Sequence, residues 1–246
     1  MIKKSLALFL ALMLSYSLNA RELVFAPDHY PPYIIVEKSN KAKGIYPDVL
    51  DMFVKEYPEY SISYQFFPRK RAVFMMRQGN VVDMALEATI FVKEGTEIFY
   101  DLSEIVAHTK DVVITRADSN FVYKQPEDLW GKIVAVKRGY LYGVFDQYQK
   151  EGKLRYEVLN EHTQAIKFLS LGRADALFGN IHVHPYHIKE LGLELSDFNF
   201  SEKALFEFDL AFQVRKGIGV LPKLNKFIRK IKSDGTLDKI IDKYIK

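Results

Sequence analysis

Apolar and polar positions along this chain follow two rhythms, and their order outlines the fold. Leu23-Val24-Phe25-Ala26 is a short apolar run of strand type, followed by the turn-rich Pro27-Asp28-His29-Tyr30-Pro31-Pro32-Tyr33. From Asp48 to Tyr57, Leu50, Phe53, Val54 and Tyr57 fall on one face at helical spacing, whereas Ser61 to Phe67 alternates as a strand. Residues 69–78 predict a helix with Ala72, Met75 and Met76 inward and Gly79 as its C-cap. Further strands are predicted at 132–137, 155–159, 174–178 and 205–214, with helices at 144–150 and 163–171. Leu221, Leu224, Ile228 and Ile231 make one terminal helical stripe, and Leu237, Ile240, Ile241 and Tyr244 a second. Strands alternating with amphipathic helices predict an α/β protein with mostly parallel sheets.

One unit occurs twice. Residues 76–87 read Met-Arg-Gln-Gly-Asn-Val-Val-Asp-Met-Ala-Leu-Glu, and residues 169–180 read Leu-Ser-Leu-Gly-Arg-Ala-Asp-Ala-Leu-Phe-Gly-Asn. Each is a helix end, a glycine cap, an aspartate and a buried strand, which points to two similar lobes. The bland alternative is that helix–Gly–strand is simply a common supersecondary unit.

The first residues change the picture of where the chain works. Basic Lys3-Lys4, the apolar run Leu6 to Leu14 and small Ala20 before Arg21-Glu22 have the order of a secretory signal peptide spanning 1–20. The apolar run is well short of the ~20 residues a bilayer span needs. With Cys 0, no lipid-modified cysteine follows the leader, and stability must come from a core, for which 48% hydrophobic residues suffice. Lys3 and Lys4 leave with the leader, so the remaining basic residues nearly balance the 31 acidic ones. That is no footprint for nucleic acid or a membrane surface. A soluble periplasmic monomer without direct membrane insertion is expected.

Six motifs follow in order along the chain: Tyr30-Pro31-Pro32-Tyr33, Gly44-Ile45-Tyr46-Pro47-Asp48-Val49, Gly79 to Asp83, Trp130-Gly131-Lys132-Ile133-Val134-Ala135-Val136 with Arg138-Gly139-Tyr140, Gly172-Arg173-Ala174-Asp175-Ala176, and Ser233-Asp234-Gly235-Thr236-Leu237-Asp238-Lys239-Ile240. With these motifs and the order of its elements, the chain resembles the periplasmic solute-binding proteins of the polar amino-acid transport type, family 3. The resemblance implies a two-lobed, type II periplasmic-binding-protein fold, each lobe a mostly parallel sheet flanked by helices. Lobe 1 is expected at 21–112 and 211–246 and lobe 2 at 113–210, joined by two crossover hinge strands. A ligand-stabilised closure is implied, with a small polar, amino-acid-like or cationic ligand and a membrane permease or sensor as partner.

In open α/β sheets ligands bind beyond the carboxyl ends of the strands. Tyr30, Tyr33, Glu87, Thr89, Phe91, Arg138, Tyr140, Tyr142 and Asn180 are the candidates there, with core packing as the alternative for each aromatic. The resemblance also implies an Arg for the ligand carboxylate, a Ser or Thr beside it and an Asp for the ligand ammonium. Here those positions hold Lys93-Glu94-Gly95, Tyr140 and neutral Asn180. Lys93, Arg71 or Arg138 is left to replace the arginine.

No cofactor or metal is expected: His182, His184 and His187 do not fall on one helical face, so three ligands do not converge. Glu87 as general acid of a cyclohexadienyl dehydratase type of enzyme is the catalytic alternative, and a ligand-sensing module without transport the other. No serine elbow, phosphate loop or cysteine nucleophile supports further chemistry.

Overall fold

A computed structural model describes residues 20–37, 41–91 and 98–245. The expected leader lies outside the described residues except for Ala20, and so does Lys93. The strands are β1 (Arg21–Ala26), β2 (Ile35–Val36), β3 (Ala42–Lys43), β4 (Tyr60–Tyr64), β5 (Met84–Ala88), β6 (Tyr100–Leu102), β7 (Ala107–Arg116), β8 (Ile133–Lys137), β9 (Arg155–Leu159), β10 (Ala176–Asn180) and β11 (Phe198–Arg215). The helices are α1 (Ile45–Glu56), α2 (Arg69–Arg77), α3 (Val144–Lys150), α4 (His162–Ser170), α5 (Val183–Glu190), α6 (Leu221–Ser233) and α7 (Thr236–Ile245). The strand expected at 174–178 is displaced two residues onward, because Asp175 turns its backbone and carboxylate to the neighbouring strand before the ladder begins.

The chain forms two compact units. One holds the described residues up to Val106 and those from Leu210 onward; the other is Ala107–Asp209. The chain therefore passes between them at 106/107 and 209/210.

Both units are built to one plan. In the first, β1 lies parallel to β4 on one side and β5 on the other, and residues 210–214 of β11 run antiparallel to β5. In the second, β8 lies parallel to β9 and β10, and β7 runs antiparallel to β10. The period-two alternation of the strands separates the two cores of the second unit. Val112, Ile114, Ala135 and Leu177 face α4 and Ile188 of α5. Val113, Val134, Val136, Ala176 and Phe178 face Leu129, Tyr142 and Phe145. In the first unit Ala26 and Ala85 pack on Ala72 and Met76 of α2, while Phe25 meets Phe212 edge-on.

The duplicated sequence unit is a duplicated contact. The Asp83 N–H donates to the Val24 carbonyl (2.9 Å), and the Asp83 carboxylate accepts the Val24 N–H (3.0 Å). In the second unit the Asp175 N–H donates to the Ile133 carbonyl and its carboxylate accepts the Ile133 N–H, both at 2.8 Å. Asp83 clamps the start of β5 to β1, and Asp175 clamps the start of β10 to β8. The preceding glycines, Gly79 and Gly172, both adopt φ of 69°, the left-handed conformation that ends a helix at low cost. Gly44 has a different reason. A Cβ there would sit 2.7 Å from the Pro32 carbonyl oxygen, and that close approach lets Ile45 and Tyr46 donate to the Pro32 and Tyr33 carbonyls.

Removing either clamp leaves an inner-strand N–H without its acceptor, a loss of roughly 1–3 kcal/mol. Asp175→Ala is expected to lower the unfolding free energy obtained from urea titration by that amount, and Asp175→Asn by less, since the amide oxygen still accepts. Asp83→Ala is expected to cost more, because it also strands Arg215, which donates to Asp83 at 2.5 Å.

Candidate functional site

In the first unit the candidates divide into core and rim. Tyr33 is fully buried, with its ring stacked on half-buried Tyr30 at 5.4 Å. Tyr30 and Ile34 exchange backbone hydrogen bonds around the cis Pro31-Pro32 turn, which positions the pair. Glu87, near the carboxyl end of β5, is buried; Oε1 accepts the Ala88 N–H and Oε2 accepts from Gln213 Nε2. Thr89 opens the 3-10 turn that Phe91 closes. Arg71 is exposed, its guanidinium 5.5 Å from the Phe67 ring centre.

In the second unit the residues that follow β8, β9 and β10 gather polar groups. Arg138 is exposed, its Nε donating to Asn160 Oδ1 at 2.7 Å, and no carboxylate among the described residues pairs with it. Tyr140 is 41% exposed, and its ring meets His162 edge-on at 5.6 Å. Lys137 Nζ lies 5.7 Å from the Tyr140 ring centre. Tyr142 belongs to the core: its ring packs on Phe178 and its hydroxyl accepts the Lys137 N–H at 2.9 Å. Burial pushes that phenol well above its ordinary pKa.

Asn180 is buried at the end of β10 and works as a hub. Its Nδ2 donates to Thr109 Oγ1 (2.9 Å), to the Lys110 carbonyl (3.2 Å) and to Asp111 Oδ1 (3.0 Å). Its Oδ1 accepts the N–H groups of His182 and Val183, which open α5. An amide is suited to this position because it donates to a carboxylate and accepts from a helix start at once. Its partner Asp111 is half-buried on β7, and burial lifts that carboxyl to about 6 against the opposing hydrogen bond from Asn180. Periodicity points to Asn180 and not to Asp111, which borders the apolar run Val112–Ile114.

The histidines assemble differently from the expected set. His184 and His187 are both buried on α5, and the third member is His162 of α4, not His182. His162 stacks on His187 at 5.4 Å and meets His184 edge-on at 5.0 Å. His184 Nδ1 lies 3.2 Å from the Asn180 carbonyl, its Nε2 has no hydrogen-bond partner among the described residues, and its ring atoms lie 2.7 Å from where a Cβ on residue 179 would be, with Ile114 Cδ1 at 2.6 Å. Gly179 is therefore required by the ring and the Ile114 side chain beside it. Among the described residues no group of three His, Asp or Glu side chains is placed to hold a metal ion. Among them, too, no helix is long and apolar enough to cross a membrane.

Burial, with His187 adding to it, pushes His184 down to about 3, so the folded protein keeps this ring neutral where the unfolded chain, near 6.5, takes up a proton. The stabilisation is complete above pH 6.5 and is lost as pH falls toward 3, by about 1.4 kcal/mol per unit. Asp111 acts in the opposite sense between 3.8 and 6, since its folded form holds the proton more tightly. Replacing the ring isolates its share: urea unfolding of His184→Leu is expected to lose less stability than the wild type between pH 7 and pH 4.5.

Residues 23–246 match the family described as bacterial extracellular solute-binding proteins, family 3. The L-cystine-binding protein TcyA of Bacillus subtilis (strain 168) is 28% identical over 157 residues, which is 62% of this chain and 55% of that protein. The chain thus aligns with little more than half the length of that curated relative. A solved mutant of ArgBP from T. maritima shares the fold at a TM-score of 0.72 and 20% identity, with 94% of this chain and 96% of that one covered. A histidine kinase sensor domain with similarity to periplasmic binding proteins shares it at 0.74 and 19%, covering 92% and 97%. With a match that runs through both units and the repeated strand order within each, the chain belongs to the bacterial extracellular solute-binding proteins of family 3.

Proposed function

We propose that this chain is a periplasmic binding protein that captures a small polar, amino-acid-like ligand and delivers it to an ABC-type permease or a sensor partner in the membrane. The observation that carries this reading is the set of polar groups at the carboxyl ends of the parallel strands of the second unit. Arg138 follows β8, Asn160 and His162 follow β9, and Asn180 ends β10. Side chains at those ends meet ligands in open α/β sheets. Arg138 offers a planar guanidinium without a carboxylate partner among the described residues, suited to a ligand carboxylate. Tyr140 offers an exposed aromatic face beside it. Tyr30 and Glu87 are the corresponding candidates in the first unit.

Binding is favoured over catalysis because Glu87, the carboxylate proposed for acid chemistry, already has both oxygens in hydrogen bonds to its own unit. Release into the periplasm is supported by the leader pattern and by β1 beginning at Arg21, immediately after the expected cleavage point. The amino terminus of the secreted protein is expected to read Arg21-Glu22-Leu23 by peptide sequencing.

The ligand class is tested by a thermal-shift screen on protein refolded from denaturant, with L-cystine, L-arginine, L-glutamine, L-glutamate and simple dicarboxylates as probes. At least one amino acid is expected to raise the melting temperature by several degrees; a ligand at 100 times its Kd adds about 2.7 kcal/mol. Tyr140→Ala is expected to weaken that ligand roughly tenfold while leaving the ligand-free melting temperature near wild type, in keeping with the ~0.5–2 kcal/mol of an aromatic contact. A flat screen, or turnover of prephenate-like acids, overturns the reading.

A further inference from the structure

An amino-acid-like ligand of the kind proposed carries a cation that needs a counter-charge, and the residue at the end of β10 is a neutral amide. The charge is one strand away. Asp111 faces Asn180 directly across the antiparallel pair of β7 and β10. Alternation along β7 puts Asp111 and Thr109 on the same face as Val113, where Tyr142 and Phe178 pack. Asp111 therefore continues that apolar face into the polar end of the sheet, beside Asn180.

Among the described residues, no cation pairs with it. Oδ1 accepts from Asn180 Nδ2 at 3.0 Å, and Oδ2 has no hydrogen-bond partner among the described residues. Lys110, next in the chain, turns its ammonium to the Glu202 carbonyl. From β7 the neighbouring polar side chain is the Thr109 hydroxyl, tied to Asn180. From the start of α5 it is His182, whose Nδ1 lies 3.3 Å from Thr109 Oγ1 and which burial keeps toward the neutral form. The loop after β8 brings the Tyr142 hydroxyl, which already accepts from Lys137. A half-buried carboxylate without a counter-ion is costly, and burial accordingly lifts its pKa to about 6. A costly charge held where the polar start of β7 meets the apolar run Val112-Val113-Ile114 points to a functional role.

We propose that Asp111 is the residue that pairs with the ammonium group of the ligand, and that Asn180 and Thr109 are its positioning residues. Asn180 holds one carboxylate oxygen in place through Nδ2 while its own Oδ1 is fixed by the first N–H groups of α5. The second oxygen of Asp111 is left to accept from the ligand. Arg138, after the neighbouring β8, takes the ligand's carboxylate in the same reading. The inference rests on the proposed solute-binding function and assigns its charge recognition.

The test compares amino acids with the same molecules lacking the α-ammonium: L-glutamine against glutaramate, L-arginine against guanidinopentanoate, and L-cystine against dithiodipropionate. Titration calorimetry is run on the refolded full chain and on Asp111→Asn. The wild type is expected to prefer the amine-bearing member of at least one pair on the order of 10- to 100-fold. Asp111→Asn is expected to abolish that preference while binding the deaminated analogue unchanged. Wild-type affinity for the amine is expected to fall as pH drops below about 6, and this dependence to vanish in the variant. The ligand-free variant is expected to unfold at or above the wild-type temperature at pH 7.5, since it lacks the costly charge; should it fail to fold, Asp111→Ser replaces it. An unchanged preference in the variant, or wild-type binding of deaminated acids equally well, overturns the assignment of Asp111 and leaves solute binding standing. A wild type that binds none of the six probes overturns both.

Discussion

The reciprocal contact between an aspartate and an inner strand is what the rest of each unit depends on. Asp83 on Val24, and Asp175 on Ile133, each supply two hydrogen bonds at the place where a helix has just ended and a buried strand is about to begin. That junction holds the first parallel pairs in register, Phe25 with Met84 and Val134 with Ala176. Once that register is set, the side chains that reach the carboxyl ends of the strands follow from the pleat. Glu87 and Asn180 owe their places to it.

From the same frame the two units build different chemistry. In the first, the acidic group near the strand end is absorbed: Glu87 bonds to Ala88 and Gln213 within the sheet. In the second, the strand end stays polar and densely linked, with Asn180 joining Thr109, Asp111 and the start of α5, and with three imidazoles packed beneath. Gly179, without a side chain, leaves room for the His184 ring and for Ile114.

Much of the fold was legible from periodicity alone. The helix at 144–150 and the strand at 155–159 fall where the pattern puts them, and the twice-occurring helix–Gly–Asp–strand unit marks both clamps. Legibility failed where the deciding contact was non-local. Periodicity cannot distinguish a tyrosine that fills a core from one at a rim; it is packing that separates Tyr33 and Tyr142 from Tyr30 and Tyr140. His162 lies in another helix from His184 and His187, and only the packing of α4 on α5 joins them. Asp111, at the start of the run Val112-Val113-Ile114, read as part of a crossing strand; its significance comes from the residue it faces.

The facing of Asn180 and Asp111 carries a consequence for how such proteins diverge. Side chains directly opposite on antiparallel strands sit only about 5 Å apart, so a negative charge can change chains of the ladder without leaving the neighbourhood it serves. Two carboxylates there would repel and share a proton, so a gain at one position and a loss at the other are coupled events. Column-by-column comparison registers such an exchange as the loss of an anchor. In space it is a relocation by one strand, and ancestry along this fold is better traced through facing pairs than through single positions.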